Sequence, residues 1–119
     1  MRVNPAEIIE RMSIVKLKIE KLGDSELNKE MEALKQALEE FKQEGVKIKD
    51  EWFEELYELN KSIWDLLDKV LEEKKKENPD YERFGRLYIE IDALNNTRPK
   101  IKNKIIEESG EGFREIRER

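Results

Sequence analysis

Apolar residues recur along this chain at alternating steps of four and three, the spacing that places one buried stripe on an α-helix. Ile8, Met12, Val15, Ile19 and Leu22 make the first stripe, and Leu27, Met31, Leu34, Leu38 and Phe41 the second. A third segment carries two stripes side by side. Trp52, Leu56, Leu59, Ile63, Leu66 and Val70 form one, and Phe53, Tyr57, Asn60, Trp64, Leu67 and Leu71 the other. So wide an apolar face predicts a central helix with more than one neighbour. The fourth segment presents Phe84, Leu87, Tyr88, Ile91 and Leu94, and Ile101, Ile105 and Ile106 continue its phase. No segment alternates as a strand does.

Local punctuation divides these stripes. Asn4 before Pro5 is a helix start, because Pro lacks only an amide that has no partner there and Asn can accept from the next free ones. Gly23 suits a left-handed stop, Asp24 or Ser25 can cap the second helix, and Gly45 ends it. Asp50 is expected to cap the third helix, and Asn78-Pro79 repeats the first start signal. Pro99 falls inside the fourth stripe, where a proline forfeits a backbone bond and costs about 3 kcal/mol or more. The continued phase after it favours a kink over a stop. The expectation is an all-α, antiparallel four-helix bundle. It has two shorter and two longer helices, the last kinked or broken near Pro99, in one domain over residues 1–119. The tail, 109–119, with Phe113 and Ile116, is expected to fray. The longer pair should overhang the shorter one, and its exposed apolar ends favour a homodimer.

Composition narrows the chemistry. The 119 residues include 24 bases and 29 acids, for a net charge of −5, with no Cys and no His. That removes disulfides, thiolate nucleophiles, thiolate-based zinc sites and the commonest general base. No cofactor is called for, and any metal would be a hard cation such as Mg²⁺ held by carboxylates. The acidic balance speaks against nucleic acid as a partner. No apolar run suits a membrane span, and the chain is placed in the cytoplasm. Abundant Lys and Glu with only two Gln resemble a thermophile's usage.

A turn near Glu77 and Asn78 makes the third and fourth helices antiparallel, with Asn60 level with Asn95, Trp64 with Ile91 and Tyr57 with Arg98. Two asparagines thus interrupt the stripes at one height, with Arg98 and Lys102 one and two turns further along. Buried polar groups cost roughly 1–3 kcal/mol when unpaired, so partners are expected. Either Asn60 and Asn95 bond to each other or to backbone freed by Pro99, or Asn60, Trp64, Asn95, Arg98 and Lys102 surround a pocket for an anion or carboxylate, or these groups lie exposed at the surface.

Glu54-Glu55-Leu56-Tyr57-Glu58 matches the Glu-Glu-x-x-Glu element of the all-α nucleotide pyrophosphohydrolases. That resemblance implies Mg²⁺ on Glu54, Glu55 and Glu58. Those enzymes complete the site from another helix, whereas here the nearest Glu/Asp-x-x-Asp, Asp65 to Asp68, follows on the same one. Arg86, Asp92 and Arg98 are superficially similar to the small helical chorismate mutases, with an Asp-to-Arg interval about a turn short. A solvated face accounts for most of these charges. From Asp50 to Glu73 there are nine acids and two Lys, while Arg98 to Lys104 holds four bases and no acid. This contrast suggests complementary packing of the last two helices, within one chain or across a dimer.

Three stretches together resemble a family of small, uncharacterised bacterial all-helical proteins, some encoded near surface-polysaccharide genes. They are Pro5–Glu20, Leu59–Asp68, and Ile91–Arg98 with Lys102. In that pattern an Asn precedes a Trp and an acid, and a second Asn precedes an Arg and a Lys. Here these fall on Asn60, Trp64, Asp65 or Asp68, Asn95, Arg98 and Lys102, with Pro99 a departure. The resemblance implies a helical fold and no mechanism. The functional expectation is a non-enzymatic interaction or assembly module that self-associates or engages a protein partner. The alternative is a binder of an anion, carboxylate or nucleotide, or a Mg²⁺-dependent hydrolase-like protein.

Overall fold

The computed structural model describes residues 3–112. Four helices follow one another: α1 (Pro5–Leu22), α2 (Leu27–Gln43), α3 (Asp50–Lys74) and α4 (Tyr81–Ser109). There is no strand among the described residues. The all-α, four-helix architecture expected from the stripes is the observed one, two short helices and then two long. Of the tail expected to fray, 109–119, Ser109 closes α4 and Gly110 returns its amide to Ile106, while residues 113–119 lie outside the described residues. No helix among those described is long and apolar enough to cross a membrane.

The strongest local signals act as read. The Asn4 side chain accepts the Glu7 amide at 3.0 Å, with Pro5 opening the helix. Gly23 turns left-handed at φ 66° and returns its amide to Ile19. Two starts differ. Asp50 is the first helical residue rather than the cap, which leaves its carboxylate to favour the positive end of the α3 dipole. α4 begins after Asp80, not at Pro79, because the Asp80 side chain accepts the Arg83 amide at 3.1 Å.

The α3–α4 turn is held by a residue that no stripe singles out. Glu73 is buried, accepts the Asp80 amide at 2.7 Å, and meets Lys76 at 2.8 Å and Arg83 at 3.8 Å. The hydrogen bond from Lys76, then that from the Asp80 amide, holds its carboxyl below the ordinary range.

α4 runs unbroken through Pro99, with Lys102, Ile105 and Ile106 buried beyond it. One apolar cluster joins Ala6 and Ile9 of α1, Trp52 and Leu56 of α3, and Ile105 and Ile106 of α4. The small Ala6 lets α1 settle in the valley between α3 and α4, over a fully buried Trp52. A second cluster, Leu59, Ile63, Leu66, Val70, Leu87 and Ile91, zips α3 to α4. A third, Ile8, Met12 and Phe41, seats α2 on α1.

The four helices do not close a square. α1 touches all three others, whereas the α2 backbone approaches α1 alone. The α2–α3 edge is therefore open. α1 and α3 run in the same direction, as Ser13 facing Asn60 and Lys21 facing Asp65 show. Past Leu22 the α3–α4 hairpin projects alone, by about 7 Å at 1.5 Å per residue from Lys69 to Lys74. The result is an elongated body of 56 × 36 × 24 Å.

Candidate functional site

The polar residues singled out in the sequence lie where α1, α3 and α4 meet, and α1 decides their geometry. Glu7, Glu10 and Ser13 share one face of α1 through steps of three. Lys102 is buried, and its ammonium lies 2.6 Å from Glu7 Oε1 and 2.6 Å from Glu10 Oε2. Arg98 Nε stands 3.7 Å from Glu10 Oε1. Ser13 donates to the Glu10 carbonyl at 2.6 Å, and Asn60 donates to Ser13 Oγ at 2.8 Å.

Asn60 is buried, as its place in the stripe required, but it turns to Ser13 rather than to Asn95. Asn95 is half-buried. Its neighbour Asn96 donates to Asp92 at 3.4 Å. Two cations and two carboxylates make the cluster neutral as it stands, so an incoming carboxylate would have to displace Glu10. Levels along α3 and α4 alone say nothing of α1, which supplies the partners. Glu7, Glu10 and Ser13 occupy polar positions beside the first stripe, and nothing local sets them apart from other solvated residues.

Asn60, Trp64 and Arg98 do come together. With Ile14, Leu17 and Leu67 they line a shallow hollow of about 140 Å³, outside which Lys102 and Asn95 stand. Asn60 Oδ1 and Arg98 Nε are buried without a hydrogen-bond partner, one an acceptor and the other a donor.

The acidic trio does not converge. Glu55 grips Lys104 with both oxygens, at 2.8 and 2.7 Å, and Glu54 stands on the rim of a groove. Glu58 is exposed. Among the described residues no three carboxylates are placed to hold a metal ion. Complementary packing of α3 and α4 holds for Lys104 with Glu55, and Lys49 just before α3 meets Glu108 at 2.7 Å. Arg98 and Lys102 instead answer to α1.

Sequence reasoning also missed the groove along the open α2–α3 edge, about 710 Å³ in volume. Its floor is Ile9, Met12 and Ile19 of α1, and its apolar walls are Met31 and Leu38 of α2 and Phe53 of α3. Lys16 rises from the floor, its ammonium 4.4 Å from the Tyr57 ring centre and 5.4 Å from that of Phe53. The Tyr57 hydroxyl donates to Glu20 at 2.5 Å, and this bond, with burial, pushes its pKa up to about 12. Compared with known proteins, the chain matches no family model, no curated protein and no solved structure.

Proposed function

We propose that this protein is a helical interaction module whose working state is an assembly with a second copy of itself, and that it carries no catalytic machinery. The observation that carries this reading is apolar surface left uncovered by the fold. Of the five stripe residues on α2 only Phe41 is buried. Leu67 and Leu71, which continue the Asn60–Trp64 stripe toward the end of α3, are about half exposed, and so is Tyr88 on α4. Apolar surface left open by a fold in this way marks an interaction site. The polar cluster supports the same reading, since Lys102 and Arg98 are already committed to Glu7 and Glu10. Sedimentation equilibrium tests it. The expected mass at about 100 μM is twice the 14.3 kDa of the chain, and a single 14.3 kDa species throughout would overturn it.

The hollow beside Trp64 favours a second reading, a small-molecule site. Buried atoms of opposite hydrogen-bond sense, Asn60 Oδ1 and Arg98 Nε, suit a ligand that both donates and accepts, such as a small carboxylic acid or amide. Thermal shift with acetate, acetamide and dicarboxylates, on the native chain and on Asn60→Ala, tests it. A shift in the native chain that Asn60→Ala abolishes supports the site, and equal melting temperatures throughout exclude it.

A further inference from the structure

The groove along α2 carries charge in an order that identifies what covers it. Glu32, Lys35, Glu39 and Lys42 follow one another along α2, acids and bases each recurring after seven residues, close to two turns. Lys35, Glu39 and Lys42 line the groove, and Glu32 lies 3.7 Å from Lys35. A two-fold axis reverses this order. With the axis level with Ala37, Lys35 of one copy stands opposite Glu39 of the other, and Lys42 opposite Glu32. Each pair occurs twice, because an isologous contact repeats every interaction. A parallel pairing in register would instead set Lys against Lys and Glu against Glu.

We propose that α2 of a second copy of this chain lies antiparallel beside α2, in the groove, and closes the open α2–α3 edge. Leu38, half-buried now, stands beside the axis at the centre of that contact, Met31 lies near each end, and the four charge pairs run alongside. Lys35 and Glu32 are largely exposed and only loosely paired within their own helix, so they are free to exchange partners at little cost. The groove already supplies apolar floor on α1 and a wall on α3, so the incoming helix meets three helices rather than one. This inference rests on the self-association reading above and names the surface that reading uses.

Sedimentation equilibrium at low salt tests it on the full chain, on Lys35→Glu/Lys42→Glu, on Glu32→Lys/Glu39→Lys, and on an equimolar mixture of the two variants. All four positions are exposed helix positions taking good helix formers, so circular-dichroism melts at low concentration should show each variant folded, with a loss limited to about 0.2–0.5 kcal/mol for each like-charged pair created within the helix. Each variant alone turns every pair repulsive, and its dimer dissociation constant should rise about tenfold or more. The mixture should recover to within about threefold of the native value, because Glu then faces Lys at every level. General repulsion gives a different answer. Glu32→Lys/Glu39→Lys moves the net charge from −5 to −1 and would then dimerise more tightly, which would overturn the proposal. A native dimer indifferent to both variants would overturn this interface and leave self-association standing. Weakened variants that fail to recover on mixing would overturn the antiparallel pairing, and a native monomer would overturn both readings.

Discussion

Replacing Lys102 with Met separates a structural cluster from a binding site by the sign of one number. Met keeps most of the apolar stem and has nearly the helix propensity of Lys, so the change removes chiefly the ammonium. Lys102 is 6% exposed, Glu10 14% and Glu7 44%. Without the cation Glu7 can turn into water. Glu10 cannot, and it keeps only Arg98 at 3.7 Å. Breaking a buried pair from one side costs about 3–5 kcal/mol, and because one of the two carboxylates escapes to solvent the expected loss is nearer 2–3 kcal/mol.

At about 2.1 cal/mol/K per residue, a chain of 119 residues has an unfolding entropy near 0.25 kcal/mol/K, so the midpoint should fall by about 8–12 °C. Urea unfolding followed by far-UV circular dichroism reads the free energy, and a thermal melt reads the midpoint. The loss should change little with added salt, since buried pairs are poorly screened. Adding Glu10→Gln to Lys102→Met should recover part of it, with a coupling of about 1–3 kcal/mol. A cation held in place for a ligand behaves oppositely, because removing it relieves the free protein. A loss below about 0.5 kcal/mol, or any gain, would refute the structural account.

Three further outcomes follow from the packing. Trp52→Ala opens a cavity where α1, α3 and α4 meet and should cost about 3–5 kcal/mol in urea unfolding, whereas a cost under about 1 kcal/mol would displace Trp52 from the centre of the fold. Pro99→Ala restores a backbone donor in the middle of α4, so stability should rise by about 1–2 kcal/mol after allowing for the looser unfolded chain, and the melting midpoint by about 4–8 °C; a fall would mean that the ring itself packs usefully. Stability should also fall in acid. The carboxyls of Glu73, Glu30 and Glu108 are held low, foremost by hydrogen bonds from Lys76, Arg11 and Lys49 respectively. Groups shifted this way contribute fully above 4.5, their ordinary value, and lose that contribution as pH drops through their folded values. Melting midpoints should therefore hold from pH 7 to about 5 and decline below, less steeply in Glu73→Gln; an equal decline would remove Glu73 from the account.

What could be read from the sequence was what the chain settles over a few residues. Asn4-Pro5 and Gly23 act through amides three or four positions away, so their roles follow from spacing alone. Asn78-Pro79 offers the same letters and fails, because Asp80 caps the helix and Glu73, seven residues back, fixes the amide before it. Burial of Asn60 was legible from its place in a stripe. Its partner was not, because Ser13 lies 47 positions away on a helix whose approach depends on Ala6 fitting over Trp52. Glu7 and Glu10 were two acids among 29 until Lys102 was placed between them.

α2 shows a different kind of limit. Leu27, Met31, Leu34, Leu38 and Phe41 keep the spacing of a core-facing helix over all 17 of its residues, yet only Phe41 is buried. An amphipathic pattern states that a helix has an apolar face to cover and is silent about what covers it. Within the chain α1 covers part of that face, and α3, drawn to α1 and α4 by Trp52 and Leu56, leaves the rest open. A stripe that encodes more burial than its own fold supplies is costly to leave in water, at about 25 cal/mol for each Å² of apolar surface. The charges beside it repeat with the same two-turn period and match themselves only when reversed. Under the proposed pairing another copy of the same helix covers that open face, and the order of Glu32, Lys35, Glu39 and Lys42 is what would match the two copies.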